Sequence, residues 1–205
     1  MRLFLNWAAL LGLLTTAAHA DVFNLPHFVA PGEFAIGVEP ELTLSDGAGI
    51  GINLRYTQGL NELIDVSGQI GTGGGPRQFR AGVDFDFDFF PDVKGQPGIG
   101  LATRALYVRI PTPGSLIPGD ASGQVELTAI PYIHKAFTTE SGGVVDPFFS
   151  FPFGMSFLSG QYQGLSTAVI GALIKGGESF WYSTEFGIAV NHTETYFAGG
   201  ITYYH

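Results

Sequence analysis

The feature that most constrains this chain is a strict period-two alternation that begins at Glu33 and returns to the last residues. In 33–44, Phe34, Ile36, Val38, Leu42 and Leu44 share one parity, while Glu33, Ala35, Gly37, Glu39, Glu41 and Thr43 share the other. Successive strand side chains point to opposite faces, so this pattern is a strand with one apolar face and one small or acidic face. The clearest instance is 78–89. There Phe79, Ala81, Val83, Phe85, Phe87 and Phe89 oppose Gln78, Arg80, Gly82, Asp84, Asp86 and Asp88.

The rhythm predicts ten strands: 33–44, 48–57, 64–70, 78–89, 98–109, 123–135, 147–158, 164–174, 179–191 and 194–204. Eight would also fit the length. The segment 164–174 (LSTAVIGALI and its flank) reads equally as a short helix, because its period is unclear. Connections are rich in Gly, Pro, Asn and Asp, as in 72–76, 91–97 and 111–123. No second domain is marked along the chain.

Two architectures share such alternation. A soluble sandwich or barrel buries the apolar face, whereas a transmembrane barrel turns it to lipid and encloses the other in a lumen. The second face decides between them. Charged residues are only 13% of the chain, about half the usual share. Beyond residue 20 the only lysines are Lys94, Lys135 and Lys175, at turns or strand ends. A water-facing sheet would be studded with charge. Strands of 9–12 residues also match the 9–11 needed to cross a bilayer at a tilt, and in lipid a sheet must close. The expected fold is therefore all-β, a single closed antiparallel transmembrane β-barrel over 33–205. A soluble periplasmic ligand-binding barrel is the alternative.

Residues 1–20 (MRLFLNWAALLGLLTTAAHA) carry Arg2, an apolar stretch to Leu14 and Ala18-His19-Ala20, the form of a cleavable export signal. Residues 21–32 read as a lead-in segment with two prolines. The absence of Cys excludes disulfides and thiolate metal sites. With 9 basic against 18 acidic residues, no nucleic-acid partner is expected.

Parity assigns the lumen. Arg55, Arg80 and Arg104 face inward with Asp65, Asp84, Asp86, Asp88, Glu126 and Glu185, and Glu39, Glu41 and Glu194 join them. Arg80 and Arg104 are expected to contact carboxylates among Asp65, Asp84, Asp86 and Glu126. Asp84, Asp86 and Asp88 stand about 6.5–7 Å apart along one face, too far to ligate one cation together. The acids therefore read first as a salt-bridge network that fills the barrel, and otherwise as the lining of a narrow cation-favouring pore. If the first strand rises from the periplasm, outward Phe34, Tyr56, Phe89, Phe149, Phe180 and Tyr203 form an aromatic girdle at that end. Phe79, Tyr107 and Phe157 lie at the other.

On this pattern over 33–205 the chain resembles the small Gram-negative outer-membrane β-barrels, the class of the outer-membrane protein A transmembrane domain and the opacity-type proteins. The resemblance implies residence in a Gram-negative outer membrane, contact with its lipid and lipopolysaccharide, and assembly by the barrel machinery through the C-terminal strand. In that strand Phe197, Gly199, Ile201 and Tyr203 alternate, and His205 follows where the class ends on an aromatic.

Catalytic and cofactor signals are weak. His192 has only Thr193 and Glu194 beside it and no His-x-Ser signature, so no lipid hydrolase is expected. His134 lacks a second His at ligand spacing and reads as a strand-end polar residue, and no metal or cofactor is expected. The triple Gly at 73–75 is a hairpin turn, since no Lys-Ser/Thr follows. A structural or surface-interaction role remains.

Overall fold

The computed structural model describes residues 29–45, 48–73, 79–111, 121–140 and 142–205. The expected export signal and residues 21–28 of the lead-in lie outside them. Twelve strands run in order: β1 (Phe34–Thr43), β2 (Gly49–Asn61), β3 (Ile64–Gly73), β4 (Phe79–Phe90), β5 (Gly98–Pro111), β6 (Ala121–His134), β7 (Phe137–Thr138), β8 (Val144–Ser150), β9 (Phe153–Leu158), β10 (Gln161–Lys175), β11 (Phe180–Asn191) and β12 (Tyr196–Tyr204).

They make ten antiparallel staves. β8 and β9 both pair with β6 on one side and β10 on the other, so together they are one stave. Phe151 and Pro152 interrupt it, and Pro152 has no amide proton to give a ladder. Neighbours absorb the break: the Phe151 amide donates to the Pro131 carbonyl and the Thr167 amide to that of Pro152. β7 is a two-residue ribbon on β8. The sheet closes where β12 pairs with β1, Ala35 opposite Tyr204 through Thr43 opposite Tyr196. Closure leaves the ten staves without an open edge, as lipid requires.

The ambiguous 164–174 segment is strand. It lies inside β10, paired along its length to β11. Both of its faces carry apolar residues: Val169 and Leu173 are buried in the interior, while Ile170 and Ile174 are exposed on the outer wall.

Alternation sorts the side chains everywhere else. β1 buries Ala35, Gly37, Glu39, Glu41 and Thr43 and exposes Ile36, Val38, Pro40 and Leu42. The outer wall is a continuous apolar surface that includes Leu54, Ile70, Val83, Leu127, Met155, Ile188 and Ile201, all exposed. Polar residues inside and Leu, Ile, Val and Phe outside invert the order of a water-soluble domain, and this is the arrangement of a membrane barrel. No helix among the described residues is long and apolar enough to cross a membrane; this barrel crosses with strands.

The lead-in reaches the barrel at the end holding Phe34 and His205. The buried Val29 donates its amide to Asp65 Oδ2 at 3.0 Å, and the Gly32 amide bonds the Gly59 carbonyl. Gly59 faces inward under this segment, and a Cβ built there would overlap the Val29 and Ala30 carbonyl oxygens. Only glycine gives the backbone that clearance.

Candidate functional site

The polar half of the interior is built on β1 to β5. Arg55 on β2 donates Nε to Glu39 Oε1 at 2.9 Å and Nη1 to Asp84 Oδ2 at 2.5 Å, with Nη2 at 3.4 Å from Gln69 Oε1. Arg104 on β5 grips the same Asp84 from the other side, Nε to Oδ1 at 2.6 Å and Nη2 to Oδ2 at 3.0 Å. A carboxylate accepts such bidentate pairs in plane. Asp84 thus bridges two guanidiniums from β2 and β5.

Arg80 points inward, and its partners include an acid outside the set expected for it. Its Nη2 donates to Glu41 Oε2 at 2.7 Å and its Nε to Asn53. Glu41 belongs to β1 and faces Arg80 across the lumen, a relationship that parity along one strand does not reveal. Gly71 makes room, since a Cβ there would overlap the Asn53 amide and the guanidinium.

The remaining predicted residues are distributed around these pairs. Asp65 lies opposite Asp86 in the β3–β4 ladder and receives the Val29 amide. Asp86 is 1% exposed, and neither of its oxygens meets a donor among the described residues. Asp88 is only partly buried. Glu126 accepts from Gln124 at 2.6 Å, and Glu185 from the Tyr196 hydroxyl at 2.9 Å.

Sequence reasoning missed the other half of the interior. Ala102, Ile130, Tyr132, Phe148, Val169, Leu173 and Trp181 pack as one apolar cluster on the inward faces of β5, β6, β8, β10 and β11. Leu106, Val108 and Ile110 extend the apolar lining along β5. The interior is therefore two-sided, with ion pairs against one wall and an apolar core against the other. Small cavities lie among these side chains. A cavity touching Glu39, Arg55, Trp181 and Tyr204 measures about 10 Å³, and one touching Arg104, Glu126, Thr128 and Thr167 about 30 Å³. Each has room for about one water. Two larger hollows open on the outer wall, over Gly68, Ala81 and Ala105 and over Thr103 and Ala129, where small side chains lie between bulky ones.

The outward aromatics occupy both ends. Phe34 stacks on Tyr56 at 5.9 Å and on His205 at 4.9 Å, and Phe180 packs on Tyr203 at 5.3 Å. Tyr56 and Tyr203 both flank Ile36, so this group spans the β12–β1 seam. Phe89 is exposed late in β4, and Phe149 is exposed opposite Ile133. Tyr107 and Phe157 both lie opposite Val125 nearer the other end.

Other polar groups lie outside the lumen network. His192 adopts a left-handed turn conformation (φ 46°), and Thr193 donates its hydroxyl to the Ser166 carbonyl at 2.7 Å. At the rim, Asp92 accepts from Lys135 and, at 2.6 Å, from the Ala136 amide. Burial works against its charge, but these bonds outweigh it and hold the Asp92 carboxyl below the ordinary carboxylate range.

No protein-family model and no curated protein matches the chain. Solved structures do. The outer membrane channel from Pseudomonas putida F1 superposes with a TM-score of 0.53 over 90% of this chain and 100% of that one, at 7% identity. The beta domain of the Bordetella autotransporter Brka gives 0.51 over 85% and 99%, at 13% identity. At such identities the likeness is one of fold: the chain has the architecture of outer-membrane β-barrels.

Proposed function

We propose that this chain resides in the outer membrane of a Gram-negative bacterium as a self-sealed barrel with a structural or surface-interaction role, and is neither an open conduit nor an enzyme. The observation that carries this reading is Asp84, held by Arg55 and Arg104 while Trp181 and its cluster fill the facing wall. Ten staves lie near the narrow limit at which side chains alone fill a barrel. The two aromatic zones would sit at the two interfaces, and the end with Phe34 and His205 would face the periplasm. The apolar wall would contact lipid and the acyl chains of lipopolysaccharide, and the C-terminal strand would engage the assembly machinery. Thr193 is committed to a backbone carbonyl, which argues against a nucleophile at His192. Purified protein reconstituted in planar bilayers should show no steady conductance. A reproducible ohmic step would overturn the sealed reading.

One observation favours a second reading. Among the described residues nine buried carboxylates stand against three buried guanidiniums, an excess that would draw cations into any water path. On that reading a conductance would be cation-selective, and Asp86→Asn would reduce the selectivity.

A further inference from the structure

Away from the lumen network, three side chains from separate elements converge at the end of the barrel that holds Phe34 and His205. Asp92 comes from the turn between β4 and β5, His134 from the last position of β6, and Asp146 from β8. Each offers one donor atom, and these atoms all lie within 4.8 Å of one another. We propose that Asp92, His134 and Asp146 form a binding site for a divalent metal of the zinc type.

The donor set decides the class of ion. Calcium and magnesium take oxygen alone, whereas an imidazole nitrogen with two carboxylates suits zinc and its first-row neighbours. Such an ion, about 2.0–2.2 Å from each donor in a tetrahedron, sets neighbouring donors a little over 3 Å apart. His134 Nδ1 already stands 2.9 Å from Asp146 Oδ2 and 3.1 Å from Oδ1. The Asp92 donor lies within 4.8 Å of the other two and has to close by up to about 1.5 Å to reach that spacing, and water completes the fourth position.

The surroundings support the ligands as metal sites require. Ligating carboxylates are themselves held by hydrogen bonds, and Asp92 is held by Lys135 and the Ala136 amide. Lys135 is in turn fixed by the Val93 and Gln96 carbonyls at 2.8 and 3.0 Å. Each Asp92 oxygen keeps a lone pair for an ion. The imidazole lies over Gly98, where a Cβ would overlap the ring.

Charge points the same way. Asp88 is within electrostatic range of His134 and Asp92, and its Oδ1 meets no donor among the described residues. With His134 protonated, the ion pairs Lys135–Asp92 and His134–Asp146 still leave one of the three carboxylates unbalanced. With the imidazole neutral, as a metal ligand must be, two negative charges remain, and a divalent cation balances them.

The test uses the whole folded barrel in detergent, its fold verified by heat-modifiable gel migration, titrated with Co²⁺ alone. The expected result is one saturable site with visible d–d absorption that Zn²⁺ displaces. His134→Gln and Asp92→Asn should each weaken binding by about 100-fold or more, the upper end of what loss of an outer-shell partner costs. His192→Gln and His205→Gln should leave it unchanged. Asp92→Asn keeps the His134–Asp146 bond, so it decides the matter if the His134 variant does not fold. No saturable site in the wild type, or equal affinity in wild type and Asp92→Asn, would show an ion-pair clasp and overturn the proposal.

Discussion

The guanidinium of Arg104 meets the carboxylate of Asp84 with two parallel bonds, of 2.6 and 3.0 Å, on adjacent strands where the residues lie directly opposite. Because Arg55 shares that carboxylate, one side chain neutralises parts of two buried cations. Asp84→Leu should therefore cost at least about 3–5 kcal/mol, the penalty for leaving a buried charge without its partner. Adding Arg104→Leu should return part of the loss. Urea midpoints of the refolded barrel, read as a double-mutant cycle, measure this; strict additivity would contradict a shared clamp.

Trp181 is packed inward with Leu173 and the Tyr204 ring, which lies 6.4 Å away edge-on. Trp181→Ala should destabilise the barrel by about 3–5 kcal/mol, as other buried aromatic truncations do. A change under about 1 kcal/mol in the same unfolding assay would mean that the apolar half of the interior contributes little.

The Gly59→Ala methyl group would occupy the space of the Val29 carbonyl. The expected outcome is release of residues 29–32 from the end of the barrel with the staves intact. Amide exchange should quicken at Val29 and Gly32 and stay slow at β2 and β3, at a cost of about 1–3 kcal/mol typical of overpacking. Unchanged protection at Val29 would contradict the close approach.

Lipid-facing positions should show depth dependence. Leu54 is exposed in mid-strand between Val38 and Ile70, so Leu54→Arg should cost about 2–4 kcal/mol in a bilayer. Phe34→Arg, at the end of β1, should cost about 0–1 kcal/mol in charge placement. Folding titrations in lipid vesicles would compare them, and equal costs would argue against the proposed membrane position.

The ten-stave count and the polar inward face of the early strands were legible in the sequence, because Phe79 to Phe89 against Arg80 to Asp88 leaves no other periodicity. Partners across the interior were not. Parity turns Arg80 inward, but whether it meets Asp84 or Glu41 depends on stave tilt, which no local pattern encodes. The apolar interior wall was hidden for a different reason. Val169 and Leu173 bear the same side chains as lipid-facing Ile170 and Ile174, so a strand apolar on both faces carries no period at all. The rim cluster escaped because its residues come from three elements, and a lone His134 beside Lys135 carries no ligand spacing.

The seam between β1 and β12 joins residues from opposite ends of the described chain, ending in a reciprocal pair of backbone bonds between Phe34 and His205 at 3.4 and 3.0 Å. Every other stave contact lies between neighbours in sequence, so the seam alone carries the long loop closure. Until it forms, a partly assembled sheet has two open edges that hydrocarbon cannot solvate. Entry into the bilayer and completion of the ring are therefore one cooperative event. Substitutions at the seam should slow assembly far more than they speed unfolding, wherever the ring-closing step limits the rate.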